Sequence, residues 1–156
     1  RTPTAVAEAL ECLGGNGYVE ESGLPRMYRE APLMSIWEGS GNVTALDTLR
    51  AIAKQPAGVD AVLTELDSAT GQDARYDEAV RKLRKELAEP TEQRARQLAE
   101  LTALTLQASL LLRNASNRVS QAFTATRLGP EAGRTFGSVP VSDAGRLLDR
   151  VTPGIE

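Results

Sequence analysis

Histidine is absent from this 156-residue chain, and cysteine occurs once, at Cys12. A lone thiol cannot pair within the chain, so a disulfide framework is excluded, and with it go the usual zinc sites that cysteine and histidine build. No metal is expected. Aromatic residues make up only 4%, and no uninterrupted apolar run approaches the roughly 18 residues that span a bilayer. No membrane partner is expected, and a reducing cytoplasm is the default location. Positive charge is not in excess either: the formal net charge is −3, so no global basic field invites nucleic acid. Without histidine, acid–base chemistry falls mainly to carboxylates.

What is present is helical pattern. From Thr4 to Leu13 the positions Val6, Ala9, Leu10 and Leu13 share one face, and Gly14-Gly15 supplies a C-terminal stop that Asn16-Gly17 extends as a turn. Pro25 can open a short helix ending near Glu30, before Pro32. A second firm helix runs from Ser40 or Gly41 to Ala53, with Gln55-Pro56-Ala57-Gly58 as its break. Further helices are predicted over 59–68, closed by Gly71, over 73–88 with the stripe Ala79, Val80, Leu83, Leu87, and from Pro90 to Asn114. The last carries two apolar stripes (Leu98, Leu101, Ala108, Leu111 and Ala99, Ala103, Leu106, Leu110), as a helix covered on most of its circumference would. Ala115-Ser116-Asn117 breaks it and offers a cap. Another helix runs to Leu128, stopped by Gly129-Pro130, then loop over 131–141 and a short helix over 143–151. With no strand pattern and no internal repeat, the fold class is all-α, a helical bundle. The chain lacks an initiator Met and enters a helical pattern at once after Arg1-Thr2-Pro3, so a fragment of a longer protein is expected.

The densest information lies at Ser35-Ile36-Trp37-Glu38-Gly39-Ser40-Gly41-Asn42. It sets one carboxylate on a glycine-flanked corner directly before a helix. A helix start offers unpaired N–H groups and a partial positive charge, a natural seat for an anionic cofactor or a polarised carbonyl. Taken alone, Glu38 is equally a cap or dipole partner, Gly14-Gly15 a helix stop, Trp37 a packing residue and Arg29-Glu30 a structural or surface ion pair.

Three linked motifs change that reading. Glu11-Cys12-Leu13-Gly14-Gly15-Asn16-Gly17-Tyr18, then Tyr28-Arg29-Glu30-Ala31-Pro32, then Ile36-Trp37-Glu38-Gly39-Ser40-Gly41-Asn42 together resemble the C-terminal helical domain of acyl-CoA dehydrogenases, which they cover over the first third of the chain. Asn-Gly-Tyr-x-Glu-Glu-Ser before Leu24-Pro25-Arg26, and a helical extension of about a hundred residues carrying Gly71-Gln72-Asp73 and a basic amphipathic helix, resemble the DNA-alkylation-response (AidB-type) branch. The resemblance implies an FAD-dependent oxidoreductase of acyl-CoA metabolism, a homotetramer, acting on an acyl-CoA thioester. Glu38 matches the base that takes the α-proton, with its amide polarising the thioester carbonyl while the β-hydrogen passes as hydride to the flavin. Gly39 matches a substrate contact. Ser40 and Asn42 fall where the family sets a hydroxyl and an amide against FAD, and Gly14 and Gly15 match the turn that approaches its diphosphate. Glu11 belongs to the same turn but departs from the family's frequent Gln.

The resemblance further implies that an N-terminal helical domain and a central β-domain belong to the parent protein, so this chain alone is expected to be inactive. Residues 1–54 are read as the end of the dehydrogenase helical domain with its catalytic loop, and 55–156 as an additional helical subdomain. The exposed cations Arg81, Lys82, Arg84 and Lys85 are the candidate contacts for double-stranded DNA, the bland reading being a solvated helix face. Up to Ile52 the chain carries 4 basic and 7 acidic residues of its totals of 18 and 21, leaving 14 of each beyond, a weak footprint for DNA. Arg94, Arg96, Arg113, Arg118, Arg127 and Arg134 could still gather on one face. A DNA-protective flavoprotein with vestigial dehydrogenase activity is therefore the alternative function, and a scaffold role for the extension a third.

Overall fold

A computed structural model of the chain describes residues 1–130, 132–133 and 135–152. Among these, all regular structure is helical: α1 (Thr2–Cys12), α2 (Gly15–Tyr18), α3 (Leu24–Glu30), α4 (Gly41–Lys54), α5 (Pro56–Asp67), α6 (Ala74–Ala88), α7 (Ala95–Asn114), α8 (Asn117–Arg127) and α9 (Ala144–Val151). Short 3-10 turns occupy Glu20–Ser22, Ala31–Ser35 and Glu92–Arg94. No helix among the described residues is long and apolar enough to cross a membrane. The chain divides into two compact units, Arg1–Ala45 and the residues from Leu46 onward, so the division falls inside α4.

In the first unit α1 packs on α2, α3 and the 3-10 turn Ala31–Ser35. Gly17 is the reason the Gly14–Gly17 turn can close: a Cβ there would sit 2.2 Å from the Leu10 carbonyl oxygen, and Gly17 is buried. The turn was expected to be irregular, yet Gly15–Tyr18 winds one helical turn. Little else is covered. Neither α1 nor α3 buries a residue, and Leu13, Met27, Leu33, Met34, Ile36 and Trp37 are all exposed.

The second unit has a genuine core. Leu66, Ala69, Tyr76, Val80, Leu83, Leu98 and Ala108 form it, with Leu49, Ile52, Val62 and Leu63 packed against them. Helix α7 is central, touching α5, α6 and α8. It is not covered all round, however: Leu110 is 45% exposed and Ala103 is exposed too. The face it buries runs through Ala95, Leu98, Thr105, Ala108 and Ser109, two of them polar. Both hydroxyls can be buried because each has a carbonyl acceptor. Thr105 Oγ1 donates to Leu101 O and Ser109 Oγ to Glu65 O, the latter joining α7 to the end of α5. Tyr76 Oη likewise donates to Leu66 O at 2.6 Å, so α6 and α7 add bonds to carbonyls in the last turn of α5, where the regular donors four residues on run out.

Two helix starts differ from expectation. α5 begins at Pro56, three residues before the predicted 59, because proline at the first helical position loses an N–H that would be unpaired anyway. α7 begins at Ala95 and not at Pro90. Thr91 is extended (φ −128°, ψ 152°) and opens the 3-10 turn Glu92–Arg94, which the Arg94–Glu86 ion pair fastens back to α6. Ser116 occupies the cap position of α8 without a side-chain cap bond. Asp73, expected as the first residue of this helix, is its N-cap: its carboxylate accepts from the Arg75 and Tyr76 N–H groups.

Candidate functional site

The corner that carries Glu38 is built by short-range bonds. α3 runs directly into the 3-10 turn Ala31–Ser35, anchored by buried Ala31. Trp37 N–H donates to Leu33 O at 3.1 Å and Gly39 N–H to Ile36 O at 3.2 Å, turning the chain tightly around Glu38. Gly39 then sits at φ +115°, a conformation that a side chain would strain, and lets the chain leave for α4. Ser40 stands just ahead of α4, its carbonyl accepting from Thr44 N–H at 3.0 Å. Glu38 is exposed, and its neighbours Met34, Ile36, Trp37 and Val43 are exposed apolar side chains. The Glu38 N–H has no hydrogen-bond acceptor among the described residues. A carboxylate and a free amide donor of the same residue are thus presented together on an apolar surface. That pairing can remove a proton beside a carbonyl and stabilise the charge that develops on its oxygen.

Glu38, Gly39, Ser40 and Asn42 are contiguous at this corner. Glu11, Gly14 and Gly15 lie at the end of α1, the helix that packs on the 3-10 turn leading to Glu38. Nothing stands within 4 Å of where a Cβ would be at Gly14 or Gly15, so their backbone is open to a close-approaching group. Glu11, Ser40 and Asn42 are exposed. Open glycine backbone, a hydroxyl and an amide are groups of the kind that can contact a phosphate or a polar cofactor edge, and Glu11 is anionic among them.

The arginine–acid pair is not the one the sequence suggested. Arg29 does not bond to Glu30; Arg29 Nη1 and Nη2 donate to Glu20 Oε1 and Oε2 at 2.7 and 3.1 Å, while Arg26 Nε donates to Glu30 at 2.8 Å. Adjacent helical residues point about 100° apart, whereas those four apart share a face. Glu20 was missed because it lies nine residues from Arg29, across a glycine turn, and no local spacing signals it. Its carboxyl is held below the usual range chiefly by the hydrogen bond from Arg29.

Arg81, Lys82, Arg84 and Lys85 of α6 are exposed, but two are engaged: Arg81 pairs with Glu78 and Arg84 with Asp67. Arg94, Arg113 and Arg118 pair with Glu86, Glu65 and Asp143, so they do not gather as a free basic face. Arg134 lies outside the described residues.

Comparison with known proteins agrees with the motifs. Residues 3–53 match the family profile "Acyl-CoA dehydrogenase, C-terminal domain". The chain is 41% identical over 150 residues to the "Putative acyl-CoA dehydrogenase AidB" of Escherichia coli (strain K12), covering 96% of this chain and 27% of that protein. It is 29% identical over 123 residues to "Acyl-CoA dehydrogenase family member 11" of Caenorhabditis elegans, covering 79% of this chain and 20% of that one. A 45-residue stretch, 29% of this chain, is 42% identical to 12% of "Cyclohex-1-ene-1-carbonyl-CoA dehydrogenase" of Geobacter metallireducens (strain ATCC 53774 / DSM 7210 / GS-15). The chain therefore spans about a quarter or less of the length of these curated relatives. Motifs, helical fold and similarity over 96% of this chain converge: the chain belongs to the acyl-CoA dehydrogenase family, matches its C-terminal domain over residues 3–53, and stands with the AidB-type branch.

Proposed function

We propose that this chain is the C-terminal part of an FAD-dependent acyl-CoA dehydrogenase in which Glu38 is the base that takes the α-proton of an acyl-CoA thioester. The observation that carries the reading is the corner itself, where an exposed carboxylate and its own unpaired N–H stand among uncovered apolar side chains. The carboxylate accepts the α-proton, while the amide donates to the thioester oxygen on which negative charge grows. Gly39 leaves room at the corner for the substrate. Gly14 and Gly15 would admit the diphosphate of FAD, Glu11 flanks that turn, and Ser40 and Asn42 would hold the polar edge of the cofactor. When bound, FAD accepts the β-hydrogen as hydride.

The uncovered apolar surface of the first unit supports a domain made to be covered. On this reading the covers are the N-terminal helical and β-domains of a longer protein and neighbouring subunits of a homotetramer. Residues 1–54 then form the dehydrogenase part and 55–156 the added helical subdomain, in a cytoplasmic protein whose exposed Cys12 stays a free thiol. The test is direct. Anaerobic addition of an acyl-CoA to the full-length natural protein should bleach the flavin absorbance stoichiometrically; a bound flavin indifferent to acyl-CoAs of every chain length would overturn the assignment.

The alternative, a DNA-protective role, would draw on Arg81, Lys82, Arg84 and Lys85. Because Arg81 and Arg84 are already neutralised by Glu78 and Asp67, replacing both by Ala should change duplex affinity less than about twofold in a gel shift, with the salt slope unaltered. A tenfold loss with a shallower slope would move the conclusion to the alternative.

A further inference from the structure

The Glu20–Arg29 fork stands where apolar packing is thin. Helix α3 buries no residue, and its Met27 and Tyr28 are exposed, so its orientation is not fixed by a hydrophobic face. It packs on α1, α2 and both flanking 3-10 turns, and it continues without interruption into the turn that ends at the Glu38 corner. Any tilt of α3 is therefore carried to Glu38. Upstream, Gly23 at φ +74° reverses the chain between the Glu20–Ser22 turn and α3. Two side-chain bonds cross this reversal. One is local, the Leu24 N–H donating to Ser22 Oγ at 3.2 Å. The other is the fork, whose two parallel N–H···O bonds at 2.7 and 3.1 Å fix both the separation and the rotation of the joined segments. Exposed ion pairs usually contribute little, but a bidentate pair joining two otherwise weakly packed segments is the geometry in which they do matter.

We propose that Glu20 and Arg29 are a positioning pair. Their fork locks the turn that follows the open Gly14-Gly15 backbone to the helix that leads into the Glu38 corner, holding the cofactor-side and base-side segments in one register. This rests on the reading of Glu38 as base. Neither residue touches substrate; both act through the placement of Glu38. A misplacement on the order of 1 Å costs up to about 100-fold in rate, so a local loosening is enough to register.

The experiment uses the full-length protein, with the rate of flavin bleaching at saturating acyl-CoA and the acyl-CoA dissociation constant measured separately. Glu20→Gln and Arg29→Gln are each expected to slow bleaching about tenfold or more while dissociation constants move less than about threefold. The reversed pair, Glu20→Arg with Arg29→Glu, should recover most of the lost rate. Arg29→Lys, which keeps the charge and loses the fork, should fall between and serves if a glutamine variant does not fold. Unchanged bleaching in Glu20→Gln and Arg29→Lys, together with its loss in Glu38→Gln, would overturn the positioning role and leave the base assignment standing. A reversed pair no faster than the slower single would likewise overturn it. Undiminished bleaching in Glu38→Gln would instead remove the base assignment, and the positioning role with it.

Discussion

Glu38→Gln in the full-length protein should retain bound flavin and slow its acyl-CoA-driven bleaching by about 100- to 10,000-fold, the range that a positioned general base contributes. Glutamine preserves the length and shape of the side chain and leaves the backbone N–H in place, so the carbonyl-polarising donor survives. What it lacks is a site that can take a proton at neutral pH. The structure makes the substitution clean: Glu38 is exposed and makes no hydrogen bond among the described residues, so no fold-supporting contact is lost with the charge. Glu38→Asp retains the carboxylate and withdraws it by one methylene, and an intermediate loss is expected. Rapid-mixing absorbance at the flavin band measures both. Bleaching by Glu38→Gln within a factor of two of the unaltered protein would refute the assignment.

Asp73→Ala should destabilise the helical extension by about 2–4 kcal/mol, because one side chain performs three tasks there. Its carboxylate caps α6 through the Arg75 and Tyr76 N–H groups at 2.8 and 3.3 Å. It also holds the Arg75 guanidinium, and it accepts from Thr124 Oγ1 at 2.9 Å, which fastens α8 to the start of α6. Burial pushes the Asp73 carboxyl upward, but the bonds from Arg75, Thr124 and the two amides together outweigh it, leaving it lowered to about 2 from an ordinary 3.8. A carboxyl depressed in the folded state contributes stability that is fully present above its unfolded value. That contribution, about 2 kcal/mol, is lost as pH falls through the interval from about 4 to about 2. Asp73→Asn keeps a good cap acceptor and loses the charge, so it should cost less than Ala at pH 7. Its deficit against the unaltered chain should shrink below pH 4. Urea midpoints recorded from pH 7 to pH 2 decide the matter, and a deficit independent of pH would show that the Asp73 charge plays no part.

Where helices end was largely written in residues close to those ends. Gly14, Pro25, Gly71, Asp73 and the Gly129-Pro130 pair mark boundaries because cap, glycine and proline effects act within one turn of the backbone. The Glu38 corner was legible for the same reason: its residues are consecutive, so a linear motif specifies it. Starts that depend on how the chain reverses were not so readable. Pro56 looked like a break and is a first helical residue, and Pro90 looked like a start and precedes an extended Thr91.

Which partner each charge chose, and which face of α7 was buried, only tertiary structure decided. Arg29 reaches back nine residues to Glu20, Arg113 reaches 48 to Glu65, and Thr124 reaches 51 to Asp73. Leu110 stays exposed while Thr105 and Ser109 are buried, because hydroxyls that find carbonyl acceptors can enter an interface where α5, α6 and α8 pack on α7. The sequence by itself determined the helical class, the family and the placement of one acid on one tight corner, all consequences of short-range backbone preference and contiguous motif. The interhelical pairing and the bracing of that corner by the Glu20–Arg29 fork come from segments meeting in space, where proximity depends on the folded path of the chain and not on separation along it.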